Sequence, residues 1–158
     1  MITIGIDPGK TGAVAIFDGG WTVVDCPTVT AKIGKSIKQI PDPGLMSEIL
    51  RPYAGRARVA LEKVHAMPGQ GVSSMFSFGT NYGIWQGIVA AFEMPITLVT
   101  PQSWKKAMLA GMGKGKDEAR IRALQLFPAL KSSLGRKRDI GRADALLIGK
   151  YGRVSVIG

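Results

Sequence analysis

The stretch Ile2-Thr3-Ile4-Gly5-Ile6-Asp7-Pro8-Gly9-Lys10-Thr11-Gly12-Ala13-Val14-Ala15-Ile16-Phe17 decides the architecture. Two β-branched and aliphatic runs flank a turn rich in Gly and Pro, and Trp21 to Cys26 follows after Gly19-Gly20. That pattern predicts an opening three-strand meander. Asp7 closes its first strand. An acid at the rim of a sheet can hold a metal ion; it can equally begin a turn, a common role for Asp.

Working outward, residues 32–43 mix Lys, Gly and Pro and read as an irregular loop before a short helix over about 44–53. Ala57 to Val64 predicts a buried strand between Gly55 and Pro68-Gly69. From Ser74 to Phe92, the residues Phe78, Tyr82, Trp85, Val89 and Phe92 recur at spacings of 4, 3, 4 and 3, one face of a helix. Gly79, Gly83 and Gly87 form a second stripe on it, suited either to packing on the sheet or to a dimer contact. Ile96 to Val99 reads as a strand, and Thr100-Pro101 supplies an N-cap and a first-turn proline for a helix through Leu109. After the glycine loop 111–115, Asp117-Glu118 open a helix that Pro128 closes. A basic loop then precedes a last helix from about Asp139 to Tyr151. The order predicts an α/β fold, a mixed sheet flanked by helices, and 158 residues fit one domain over 1–158.

The chain carries 21 Lys and Arg against 11 Asp and Glu, a net charge of +10. Residues 101–158 hold 13 of the basic side chains and 4 of the acidic ones, so the excess lies at that end and points to a polyanionic partner. The lone cysteine, Cys26, excludes an intramolecular disulfide and fits a reducing compartment. The first residues lack a basic leader, and Gly83 to Val99 is interrupted by Gln86, Glu93 and Pro95. Neither a signal peptide nor a membrane span is expected, and a cytoplasmic protein is.

Glu62 sits late in an apolar strand, where a lone carboxylate is costly unless paired with a cation such as Lys63 or a metal. Asp144 interrupts the apolar side of the last helix within Arg142-Ala143-Asp144-Ala145-Leu146-Leu147-Ile148. Asp139 lies five residues earlier, about 140° away on a regular helix, so it faces the same ion only from the cap; a plain cap is the other reading. Such carboxylates gathered at one sheet edge suit two Mg²⁺ or Mn²⁺ ions, hard cations that take oxygen ligands and can hydrolyse a phosphodiester. Gly5 to Thr11 falls one residue short of a phosphate-binding P-loop, and Lys116 is followed by Asp rather than Ser or Thr. No arrangement of Ser, Cys and His supports a nucleophilic triad.

Taken together, Ile4-Gly5-Ile6-Asp7-Pro8-Gly9, Ala60-Leu61-Glu62 and Arg142 to Ile148 resemble the RuvC-like Holliday-junction resolvases of the ribonuclease H-like superfamily. The resemblance is nearest to the chloroplast-type and phage-type branch, which has a Trp-Lys pair like Trp104-Lys105 and a run like Arg138 to Asp144. It implies a ribonuclease H-like, five-stranded mixed sheet flanked by helices, and a homodimer that cuts four-way DNA junctions by paired nicks with Mg²⁺ or Mn²⁺. Neither a small-molecule cofactor nor a membrane partner is implied. Asp7, Glu62 and Asp144 match the family's metal-binding acids, and Asp139 the fourth acid of that branch; bacterial RuvC places the fourth where Gly141 stands here. An aromatic that follows the second acid in bacterial RuvC is His65 here, so a wedge into the junction falls to His65, Met67, Phe76 or Phe78. Phe78, on the apolar helix face, also suits the core.

Lys105, Lys106, Lys114, Lys116, Arg136, Lys137, Arg138 and Arg142 are the expected phosphate contacts. The same acids would serve a ribonuclease H-like nuclease on other branched DNA or RNA/DNA hybrids. A junction-binding module in which they only support the fold is the non-enzymatic alternative. The actin and sugar-kinase ATPase fold shares the opening strand but needs two such domains, more than this length provides.

Overall fold

A computed structural model describes residues 1–155. Five strands, β1 (Ile2–Ile6), β2 (Ala13–Phe17), β3 (Trp21–Asp25), β6 (Ala57–Glu62) and β7 (Ile96–Val99), form one sheet in the order β3-β2-β1-β6-β7. The first three are antiparallel, while β6 and β7 run parallel to β1, as short loops and helical crossovers respectively require. The expected meander and mixed five-stranded sheet are present.

The helices are α1 (Pro43–Leu50), α2 (Val72–Ala91), α3 (Pro101–Met108), α4 (Glu118–Leu126) and α5 (Ile140–Ser155). No described helix is long and apolar enough to cross a membrane. Strand alternation divides the core in two. Ile4, Ile6, Val14, Val59 and Leu61 pack toward α1 and α2 around Met46, Leu50, Trp85 and Val89. Ala13, Ala15, Ala60 and Val99 face α5 and α4, with Trp104, Ala123, Leu134 and Leu146. The Thr100 hydroxyl caps α3 by accepting from Ser103 N–H, with Pro101 in the first turn, as the sequence predicts.

One expectation fails. Within 32–43, expected as an irregular loop, lies most of a hairpin, β4 (Thr28–Ile33) and β5 (Ser36–Pro41), a separate two-stranded sheet. Gly34 takes φ +62° in the two-residue connection Gly34-Lys35, a conformation glycine accepts without penalty. The Gln39 amide donates to Thr30 while the Thr28 hydroxyl donates to the Gln39 carbonyl oxygen, a polar ladder across the pair. Most of the hairpin is exposed, so it carries little of the buried alternation by which a strand is read.

The glycine stripe of α2 also departs from one of its two readings. Cβ atoms added at Gly79, Gly83 or Gly87 would meet nothing within 4 Å, so these glycines do not bring α2 against the sheet. Close approach occurs instead at α5. A side chain at Gly5 would collide with the Ala145 carbonyl and the Gly149 backbone, and one at Gly141 with the Thr11 carbonyl. At Gly152 it would lie 2.7 Å from the Ala60 side chain. These small residues let α5 lie directly on β1, β2 and β6.

Candidate active site

β1 and β6 pair in parallel with Ile6 opposite Leu61, so the next residue on each chain path is an acid: Asp7 beyond β1, and Glu62 at the end of β6. Two neighbouring strand ends thereby present carboxylates at one edge of the sheet. The close seam of α5 brings Asp144 to the same edge. The carboxylates are linked electrostatically: Glu62 raises the proton affinity of Asp7, and both Asp7 and Glu62 raise that of Asp144.

Burial pushes the Asp7 carboxyl up to about 6; the Gly9 N–H, which donates to its Oδ1 at 3.0 Å, pulls it down, Glu62 adds to the rise and Lys105 opposes it. Asp144 is pushed up to about 8, again chiefly by burial, with Asp7 and then Glu62 raising it and Lys105 lowering it. Its Oδ1 is buried with no hydrogen-bond partner among the described residues. An orphaned acceptor of this kind costs about 1–3 kcal/mol unless something compensates it.

Glu62 is held by Trp104, whose indole N–H donates to Oε1 at 2.8 Å. Trp104 is fully buried in the α5-side core, so it is a rigid post for a carboxylate that stands partly in solvent. The next residue, Lys105, lies over the Trp104 ring with Nζ 5.4 Å from the centroid and is the cation both Asp7 and Asp144 sense. The sequence marks the Trp-Lys pair but not Trp104's hold on Glu62, which joins residues 42 positions apart. Cys26 is a second unanticipated neighbour: its thiol, pushed up to about 12 mainly by burial, stays protonated and donates to the Asp7 carbonyl at 3.4 Å.

Asp139 is held otherwise. Its Oδ2 accepts from Arg136 N–H at 2.8 Å and its Oδ1 from the Arg136 guanidinium at 2.7 Å, and Arg142 stands 3.9 Å away. The Arg136 side chain holds its carboxyl below the usual range, and Asp7, Glu62 and Asp144 are not among the groups that shift it. It closes the turn that starts α5. To reach an ion it would exchange these partners.

Among the described residues, no three His, Cys, Asp or Glu side chains stand close enough to ligate one ion as they are placed. The donor set nevertheless fits a hard divalent cation. It is all carboxylate oxygen, one buried oxygen lacks a partner, and two of the three groups resist carrying charge together, a conflict that a divalent cation relieves.

Two grooves flank this edge, with Phe78 lining both. The smaller, about 340 Å³, is lined by Glu62, His65, Met67 and Tyr82 among others. The larger, about 1260 Å³, is lined by Asp7, Gly9 and Lys10 together with residues of α2 and of the β4–β5 hairpin. Of the candidate junction contacts, His65, Met67 and Phe76 are exposed and Phe78 is half-buried. Among the basic candidates, Lys105, Lys106, Lys114, Lys116, Lys137 and Arg138 are exposed. Arg136 is tied to Asp139, and Arg142 donates to Asp25 at 2.6 Å and to the Ser133 carbonyl, so both are committed within the fold.

The architecture has a close counterpart. RuvC of T. thermophilus in complex with a Holliday junction substrate superposes with a TM-score of 0.62 at 15% identity, over 98% of this chain and 96% of that one. The chain has the RuvC fold. A second Thermus thermophilus RuvC structure agrees, with a TM-score of 0.54 at 16% identity over 98% and 97% of the two chains. In sequence, 112 residues, 71% of the chain, are 30% identical to the chloroplastic Holliday junction resolvase MOC1 of Chlamydomonas reinhardtii. They span 12% of that protein's length. No family model matches the chain. In this RuvC-like, ribonuclease H-like setting, the sheet edge bearing Asp7 and Glu62, with Asp144 from α5, is the candidate active site.

Proposed function

We propose that this chain is a single nuclease domain that resolves four-way DNA junctions in recombination, repair or phage DNA processing, a divalent-metal-dependent phosphodiesterase working in the cytoplasm. The observation that carries the reading is the pairing register: Asp7 and Glu62 at adjacent parallel strand ends, with the unpartnered Asp144 carboxylate brought beside them. The 30% identity to a chloroplastic Holliday junction resolvase and the likeness to RuvC point the same way.

Asp7, Glu62 and Asp144 would hold the ions, and Asp139 would join only by releasing Arg136. When bound, two Mg²⁺ or Mn²⁺ ions supply activation of a water and stabilisation of the leaving oxygen. The chain's own groups do the rest. Trp104 fixes the rotamer of Glu62, Gly9 N–H fixes that of Asp7, and Lys105 adds a positive charge beside Asp7 and Asp144 that would favour an arriving phosphate. Exposed Lys105, Lys106, Lys114, Lys116, Lys137 and Arg138 would position the DNA backbone, while Arg136 and Arg142 support the fold and the edge of that surface. His65 or Met67 on the smaller groove, Phe76 on the larger one, or Phe78, which lines both, would contact the opened junction centre.

Two active sites are needed for paired nicks, and two-fold symmetry supplies them. The exposed stripe Gly79, Gly83 and Gly87 is the helix face left for a second copy to approach closely, because the sheet does not use it.

The test is cleavage of a mobile four-way junction with and without Mg²⁺, mapping cuts on all four strands, beside forked, RNA/DNA-hybrid and linear duplex substrates. Symmetric, metal-dependent cuts on two like-polarity strands of the four-way substrate are expected. Preferential cutting of the hybrid or the fork would replace the reading with a nuclease of that class. Junction binding with no cleavage under any divalent ion would leave a binding module.

A further inference from the structure

The β4–β5 hairpin is the part of the fold for which neither core packing nor the acid site provides a use. It pairs with no other strand among the described residues, and a two-stranded ribbon of this size is marginal by itself. Between Cys26 and Pro41 there are three lysines, Lys32, Lys35 and Lys38, and no acid. The acids at its two ends are already engaged: Asp25 by Arg142, and Asp42 by the Leu45 N–H at the start of α1. Cross-strand partners share a face, so Lys32 beside Ile37 and Lys38 beside Ala31 lie on opposite faces. Lys35 occupies the turn. The hairpin is therefore cationic on both sides and at its end, and Ile33 and Ile37 are exposed near that end, Ile37 by 76%.

This cationic ribbon forms one wall of the large groove. Lys38 and Ile37 of the hairpin, Ser73 and Ser77 of α2, and Asp7 and Lys10 beyond β1 all line that groove. Resting on the nuclease reading above, we infer that the hairpin is a clamp for the DNA arm that carries the scissile phosphate. Lys38 and Lys10 contact that strand's phosphates within the groove, and Lys35 and Lys32 hold the backbone where it leaves. The serine hydroxyls across the groove donate to the same strand, and the exposed isoleucines lie against the sugars. The chemistry suits a phosphodiester polyanion: cations and hydroxyl donors line the path, and the one acid among its lining residues, Asp7, belongs to the proposed cutting site.

The experiment compares the full chain carrying Asp7→Asn, to prevent cutting, with the same chain carrying also Lys32→Ala, Lys35→Ala and Lys38→Ala. The probe is a synthetic immobile four-way junction titrated across a salt series, with far-UV circular dichroism and sedimentation as companions. The expected result is roughly a tenfold or greater loss of affinity near physiological salt and a log–log salt slope shallower by about 2–3, close to one unit for each phosphate no longer neutralised. Charge reversal to Glu at the same three positions should weaken binding further. Equal affinity and equal salt slope in the two proteins would overturn the clamp, and so would a change confined to sedimentation, which would make the hairpin a contact between copies. Wild-type cleavage of the junction, run alongside, separates the two levels. If the wild type cuts and the hairpin variant binds as well as its parent, only the clamp fails; if the wild type neither binds nor cuts four-way DNA, the nuclease reading fails with it.

Discussion

Asp139 and Asp144 stand five residues apart at the start of α5 and are treated in opposite ways. Asp139 is nearly inaccessible and saturated, bonded by Arg136 through backbone and side chain, and its carboxyl is held down. Asp144 faces two other acids with one oxygen bonded to nothing, and its carboxyl is pushed up to about 8. The first arrangement stabilises the fold at neutral pH and the second weakens it. A carboxylate kept in the second state implies a use for its free oxygens that the fold itself does not supply.

The largest effect that tests this contrast is on cleavage. Asp144→Asn, like Asp7→Asn, removes a charge from the proposed ion site and should lower single-turnover cleavage by on the order of 10³-fold or more, leaving junction binding in place. Near-wild-type cutting by either variant would remove that residue from the chemistry.

Stability then separates the two aspartates by sign. In metal-free protein at pH 7, Asp144→Asn should raise stability by about 2 kcal/mol, because a carboxyl that is ionised in the unfolded chain must take up a proton to be buried beside like charges, whereas an amide is neutral in both states. Asp139→Asn should lower it by about 1–2 kcal/mol, since it weakens charge-assisted bonds and leaves the Arg136 donors short of a partner. Denaturant unfolding of both variants checks this; shifts of the same sign would erase the distinction.

The pH profile follows from the same shifts. Asp7 and Asp144 have folded values, about 6 and about 8, above the ordinary 3.8, so their stabilising contribution is full below 3.8 and is lost as pH rises through those folded values. Asp139 and Asp25 have lowered values, so theirs is present above 3.8 and lost as pH falls through the depressed range. Metal-free melting temperature should therefore decline from about pH 5 to pH 8. Added Mg²⁺ should raise it more at pH 8 than at pH 5, and a flat difference would argue against ions at these carboxylates.

The smallest expected effect concerns how the reactive acids are held. Trp104→Phe keeps most of the buried ring but removes the indole N–H from Glu62, and cleavage should fall about tenfold, the worth of one hydrogen bond to a charged group. Weaker dependence on Mg²⁺ concentration in the variant than in the wild type would contradict a positioning role.

Much of the fold is legible in the order of residues alone. β1 to β3 follow from alternating aliphatic runs with glycine turns, Thr100-Pro101 marks the start of α3, and a carboxylate at the end of an apolar run signals a strand tip. The hairpin from Thr28 to Pro41 is hidden because it is largely exposed, and without a buried face a strand carries no alternation against a core. The glycines of α2 and α5 look alike in sequence. Those of α5 lie against the backbone of β1 and of the Thr11–Gly12 turn or against the Trp21 and Ala60 side chains, whereas those of α2 have open space around them.

The chain's order of residues determined the candidate acids, the cationic character and the strand-and-helix sequence, because each depends on local composition and on periodicity along the backbone. Only the tertiary structure decided that one Asp144 oxygen lacks a partner among the described residues, that Asp139 has several, that Trp104 holds Glu62, and that a hairpin bearing three lysines walls the groove that Asp7 also lines. Those relations join side chains brought together by the parallel register of β1 and β6 and by the close seat of α5, and contact across such distances in the chain exists only once the core has packed.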